Sequence, residues 1–191
     1  MKRLPKILLT SAAIAVAAAG GYLVFQKPRD HLPLVAPTGG WSVRQIAGLT
    51  LEAPGDFEGS PLDLGAVQQF VESSELQIFK TADLEIDVMR TIYKRDIELN
   101  FDGAAQGAVD GIARLDGIRN VQHTAKEQTV SSKPARRLSI TAERWRKALC
   151  VEGLLVSDGQ TYYQVQAIFD PAHLQSAKDA ERLLKSVQLV P

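Results

Sequence analysis

Between Trp41 and Val187 the hydrophobic pattern switches twice from a two-residue period to a helical one, and this constrains the fold more than any other feature. Period two predicts strands, because successive side chains then face opposite ways. Such stretches are Trp41 to Ile46, Leu49 to Ala53, Ala66 to Val71, Glu75 to Thr81, Leu84 to Tyr93, Val121 to Val130, Ala135 to Trp145, Ala148 to Val156 and Thr161 to Phe169. Pro54-Gly55, Glu72-Ser73-Ser74, Thr81-Ala82-Asp83 and Ser157-Asp158-Gly159-Gln160 supply the turns, and Ser60 to Leu64 reads as a loop. In the fifth strand Leu84, Ile86, Val88 and Arg90 share one face, with Glu85, Asp87 and Met89 on the other, read as solvated.

The first helical stretch runs from Asp102 to Leu115, with Ala105, Ala108, Val109, Ile112 and Leu115 in register. Asp102 serves as its N-cap and Gly117 as its stop. Gly103, Gly107 and Gly111 recur every four residues, giving one helix face a smooth stripe suited to close packing or to an apolar guest. They lack phosphate-loop spacing. The second helix opens at Asp170-Pro171, with Leu174, Ala177, Leu184 and the adjacent Ala180, Leu183 and Val187 forming its apolar face. Together these segments predict an α+β domain, an antiparallel β-sheet covered by helices in an α/β/α sandwich, over residues 41–191.

Ahead of that domain, Ile7 to Phe25 is free of charge and follows Lys2, Arg3 and Lys6. As a helix it would span about 28 Å, close to the hydrocarbon thickness of a bilayer. Residues 1–29 therefore read as an uncleaved transmembrane anchor, and 30–40 as a Pro/Gly linker. Cleavage after Ala17-Ala18-Ala19 is the competing reading, leaving a periplasmic or secreted domain. No cysteine follows the run, so a lipid anchor of the bacterial type is excluded. The slight excess of positive charge at the N-terminus places the domain on the extracytoplasmic side of the cell membrane. From Asp30 onward 17 Lys/Arg meet 22 Asp/Glu, a poor balance for binding nucleic acid.

The segment from about Trp41 to Leu189 resembles the PsbP-like and DcrB-like α/β/α sandwich families. The residues that carry the resemblance are Leu49-Thr50-Leu51-Glu52-Ala53-Pro54 leading into Asp56-Phe57, and a helix after a strand meander. Thr129-Val130-Ser131-Ser132-Lys133-Pro134-Ala135 comes next, and then Tyr162-Tyr163-Gln164-Val165 before a helix ending Leu184-Lys185-Ser186-Val187. Ser132 stands where those families carry a glycine. The resemblance implies an accessory or interaction protein of the cell envelope, with no shared catalytic residue to carry over.

The residues themselves offer no catalytic constellation. Cys150 is alone in an apolar run, which excludes an intramolecular disulfide and reads as a small buried hydrophobe. His31, His123 and His173 share no spacing with one another or with paired carboxylates that would hold zinc. There is no G-x-S-x-G, and Asp56, Glu58 and Asp63 lack the ladder of a calcium loop. No enzyme activity, cofactor or metal is expected.

One cluster is sharper. Lys133, Arg136, Arg137, Arg144, Arg146 and Lys147 fall within fifteen residues, with Trp145 among them. If Leu138 and Ile140 face the core, Arg137, Ser139, Thr141, Glu143 and Trp145 share the opposite face. Arginine beside tryptophan is hot-spot composition, so Arg137, Arg144, Trp145, Arg146 and Lys147 form the candidate interaction patch. A protein partner in the envelope is the leading expectation. A chaperone or carrier holding an apolar segment along Gly103, Gly107 and Gly111 is the alternative. The sequence assigns no oligomeric state.

Overall fold

The computed structural model describes residues 40–62, 64–95, 97 and 100–190, so the expected anchor at Ile7 to Phe25 lies outside the described residues. Among the described residues ten strands are formed: β1 (Ser42–Ile46), β2 (Leu49–Ala53), β3 (Glu58–Ser60), β4 (Val71–Lys80), β5 (Leu84–Tyr93), β6 (Ile118–Val130), β7 (Lys133–Arg144), β8 (Lys147–Asp158), β9 (Thr161–Phe169) and β10 (Gln188–Leu189). Two α-helices accompany them, α1 (Phe101–Ala113) and α2 (Leu174–Ser186). Strands β3 to β9 make one seven-stranded sheet in the order β3-β4-β5-β9-β8-β7-β6, antiparallel throughout. The remaining three form a small sheet, β1-β2-β10. Because β9 returns beside β5, α1 must carry the chain from mid-sheet to the far edge at β6.

Both faces of the large sheet's central strands are buried. On one, Leu84, Ile86, Val88, Leu154, Val156, Val165 and Ala167 pack under the small sheet and α2, against Leu49, Leu51, Ala180, Leu183 and Leu184. On the other, Ala104, Ala105 and Ala108 of α1 meet Leu138, Leu155 and Tyr162, and Val109 and Ile112 meet Ile140 and Val151. A buried side chain of this kind contributes about 1.5–3 kcal/mol, so both layers are needed to hold the central strands. Burial also raises the phenol pKa of Tyr162 well above its ordinary value.

Several expectations change. The small second sheet was not foreseen: β10 is two residues long and pairs with β2 only because α2 delivers it there. Asp87, expected in solvent, is 1% exposed, since α1 covers that face. Its carboxylate accepts from Gln166 Nε2 at 2.7 Å, and Gln164 Nε2 donates to Gln166 Oε1 at 2.9 Å, so a polar ladder crosses β5 and β9. The stretch at Ala66 forms a 3-10 turn, Gly65–Phe70, and the supposed turn Glu72-Ser73-Ser74 belongs to β4. Ser74 Oγ finds Thr91 Oγ1 across the strand pair at 3.1 Å, so its polarity serves the sheet.

Both helices start elsewhere than expected. Asn100, whose Oδ1 accepts from Gly103 N at 2.9 Å, caps α1 in place of Asp102. Asp170 and Pro171 form a preceding turn, with Asp170 Oδ1 accepting from Ala172 N, and α2 begins at Leu174. Among the described residues no helix is long and apolar enough to cross a membrane.

Candidate functional site

The β7–β8 hairpin closes with Trp145 and Arg146 as its two central residues, because Arg144 pairs with Lys147. Their φ angles are 53° and 66°, the left-handed pair that a two-residue hairpin turn requires. Asparagine and glycine normally fill these places. A tryptophan and an arginine there hold a conformation that costs each about 1–2 kcal/mol. Alternation alone extends β7 through Trp145 as strand, since nothing in the composition marks a turn without glycine.

That turn is seated on the loop after α1. Trp145 N donates to Gly117 O at 3.1 Å, and Gly117 itself sits at φ +78°. A Cβ on Gly117 would lie 2.6 Å from the indole, so the ring rests directly on the glycine backbone. Only one ring face is used: Trp145 remains 66% exposed. Arg144, Arg146 and Lys147 are exposed around it, and among the described residues none of the three makes an ion pair.

Arg137 belongs to a different environment. It lies on the sheet face beneath α2, where its guanidinium donates to Glu152 Oε2 from Nε at 3.1 Å and from Nη2 at 2.9 Å. Nη2 also reaches Glu181 Oε2 at 2.8 Å, so Arg137 clamps α2 to the sheet. Ser139 Oγ donates to the second Glu152 oxygen at 2.6 Å. The Lys185 ammonium, and behind it Arg137, hold the Glu181 carboxyl below its ordinary value. This network lines an open groove of about 580 Å³ between β6 and α2, with Thr124, Lys126 and Gln128 as the far wall. Its charges satisfy one another, which makes it a structural clamp.

The remaining expected residues are also placed. Gly107 and Gly111 are buried and Gly103 is half-buried, on a helix whose neighbouring alanines pack on the sheet. Cys150 is buried in β8, and desolvation, with the Glu152 charge, pushes its thiol up to about 11. His123 is exposed on β6, and His173 stands 3.4 Å from Asp83.

No protein-family model and no curated protein matches the sequence. Solved structures do match. The cyanobacterial PsbP (CyanoP) from Synechocystis sp. PCC 6803 is 10% identical with a TM-score of 0.57, over 83% of this chain and 99% of that one. LpqN, involved in cell envelope biogenesis of Mycobacterium tuberculosis, is 17% identical over 85% and 94% of the two chains, with a TM-score of 0.46. PA94, a protein of unknown function from Pseudomonas aeruginosa, is 15% identical over 80% and 98%, with a TM-score of 0.44. The architecture is thus an α+β sandwich of antiparallel sheets with two helices. The chain has the PsbP-like fold.

Proposed function

We propose that this chain is a non-enzymatic accessory domain of the cell envelope. In this reading Ile7 to Phe25 holds it on the extracytoplasmic side of a membrane, and the β7–β8 tip docks on an acidic face of a protein partner. The exposed indole of Trp145 carries the docking: it sits on the Gly117 backbone among three cations without carboxylate partners among the described residues. A side chain already held in place loses little entropy on binding, and tryptophan flanked by arginine is the chemistry of interface hot spots. The PsbP-like fold is compatible with such a role and does not by itself supply it.

The test is a crosslinking pull-down of the full-length chain from its own membranes, with Trp145→Ala and Arg144→Ala alongside and mass analysis of the N-terminus. The reading expects a partner whose recovery falls by about tenfold or more with Trp145→Ala and declines as salt rises. It also expects a Met1 peptide. Recovery indifferent to Trp145 would remove the tip as the docking site. A chain starting near Gly20 would replace the anchored domain by a secreted one.

A further inference from the structure

Strand β6 is the far edge of the large sheet, and from Gln122 to Thr129 it is exposed on both faces. Among the described residues no strand pairs with its outer side. The turn before β7 decides which backbone groups lie on that side. Ser131 and Ser132, at φ 48° and 65°, form a two-residue loop that closes on Val130 and Lys133. Such a loop makes the closing pair exchange both N–H···O bonds, and the pattern then alternates along the ladder. Gln128, Lys126 and Thr124 therefore bond to β7. Thr129, Glu127, Ala125 and His123 turn their N–H and C=O groups outward. A bulge at Arg119/Gln122, with Asn120 at φ 55°, ends the open stretch.

An open edge of this length is a template for another strand, and the side chains on it discriminate among partners. We infer that β6 pairs antiparallel with β6 of a second copy of this chain, the two-fold axis passing through Ala125. In that register His123 of each copy lies directly opposite Glu127 of the other, and Lys126 lies opposite Thr124. Ala125, the smallest side chain in the stretch, meets itself. Shifting the axis to Lys126 would set two ammonium groups against each other, and shifting it to Glu127 would do the same with two carboxylates. Like charges directly opposite in a sheet repel, so these two registers are disfavoured, and an axis at Thr124 would separate His123 from Glu127. Arg136, 2.7 Å from Glu127, adds a cation beside each His123–Glu127 pair. The dimer would run the two large sheets together and leave the Trp145 tips at opposite ends.

Sedimentation velocity of the full-length chain in detergent tests this. The expected result is two chains per particle. Ala125→Pro removes an outward N–H without touching the bonds to β7, and should raise the dissociation constant by roughly tenfold or more. His123→Glu places carboxylates opposite one another and should also favour the single chain. Adding Glu127→Lys to it sets opposite charges across each pair and should recover the dimer. Trp145→Ala should leave the mass unchanged. One chain per particle for the unaltered protein would overturn the inference. So would a dimer unaffected by Ala125→Pro, or a double variant no better than His123→Glu alone.

Discussion

Two stretches of one hairpin carry six basic residues, and the fold treats them oppositely. Lys133, Arg136 and Arg137, in β7, all have anionic partners: Asp158, then Asp102 with Glu127, then Glu152 with Glu181. Arg144, Arg146 and Lys147, ten residues further on, have none among the described residues. Register explains the difference. A residue inside a strand has neighbours on both sides, and here β6 places Glu127 opposite Arg136 while β8 places Glu152 two residues along from Leu154, the partner of Arg137, on the same face. Arg146 lies in the turn itself and has neither neighbour, while Arg144 has Ile118 and Lys147 as its strand neighbours, neither of them an acid. Side chains of the same kind therefore hold the fold together at one end of the hairpin and stay out of ion pairs, among the described residues, at the opposite end.

The sharpest way to break that contrast is to remove Arg137. Its side chain is 20% exposed, as is that of Glu152, so Arg137→Met strands a half-buried carboxylate. Urea unfolding should show a loss of about 2 kcal/mol, whereas Arg144→Ala should stay within about 0.5 kcal/mol. Equal effects would mean that the clamp is no stronger than the tip. Gly117→Ala attacks the tip's seat, because it adds a methyl under the indole at a left-handed φ. A loss of about 1–2 kcal/mol is expected, together with a change in tryptophan emission as the Trp145 ring is displaced. An unchanged spectrum would show that the ring is not seated there.

Arg146→Gly sharpens the comparison from the other side. The substitution relieves a positive φ, so the protein should gain about 0.5–1 kcal/mol while losing partner recovery. A gain in stability with unaltered recovery would mean that the arginine is not kept for docking. The smallest effect is a pH dependence. Glu181 has its folded carboxyl held below the ordinary value of 4.5, chiefly by Lys185 and then by Arg137. The stability it contributes is therefore complete above about pH 4.5 and is lost as pH falls through the folded value. The deficit of Arg137→Met should narrow on acidification over that window, and the tip variants should show no such trend.

Much of the architecture was legible because periodicity is a local property. Leu84 to Tyr93 and Thr161 to Phe169 emerge with the boundaries their alternation implies. Both helices are where the period lengthens, and the order of strands and helices suffices to suggest the PsbP-like fold. What periodicity could not convey was which faces are covered. Asp87 reads as a solvated residue in an alternating strand, and only the passage of α1 across the sheet buries it beside Gln166. The single patch of basic residues read from the chain is two structures, because only strand register places Glu127 and Glu152, and only the packing of α2 places Glu181, beside Arg136 and Arg137.

The sequence by itself therefore determined the kinds and order of the elements, the uncharged stretch at Ile7 to Phe25, and the chemistry available at each position. These depend on spacing over a few residues, and the backbone reads such spacing directly. Tertiary structure decided which charges are spent and which remain free, where Trp145 is seated, and that the chain end adds a strand to a second sheet. Each of these depends on residues brought together from distant parts of the chain. Ser186 Oγ, for example, receives the Glu52 N–H at 2.8 Å across 134 positions. No local pattern encodes such a meeting; the packing of α2 against both sheets creates it.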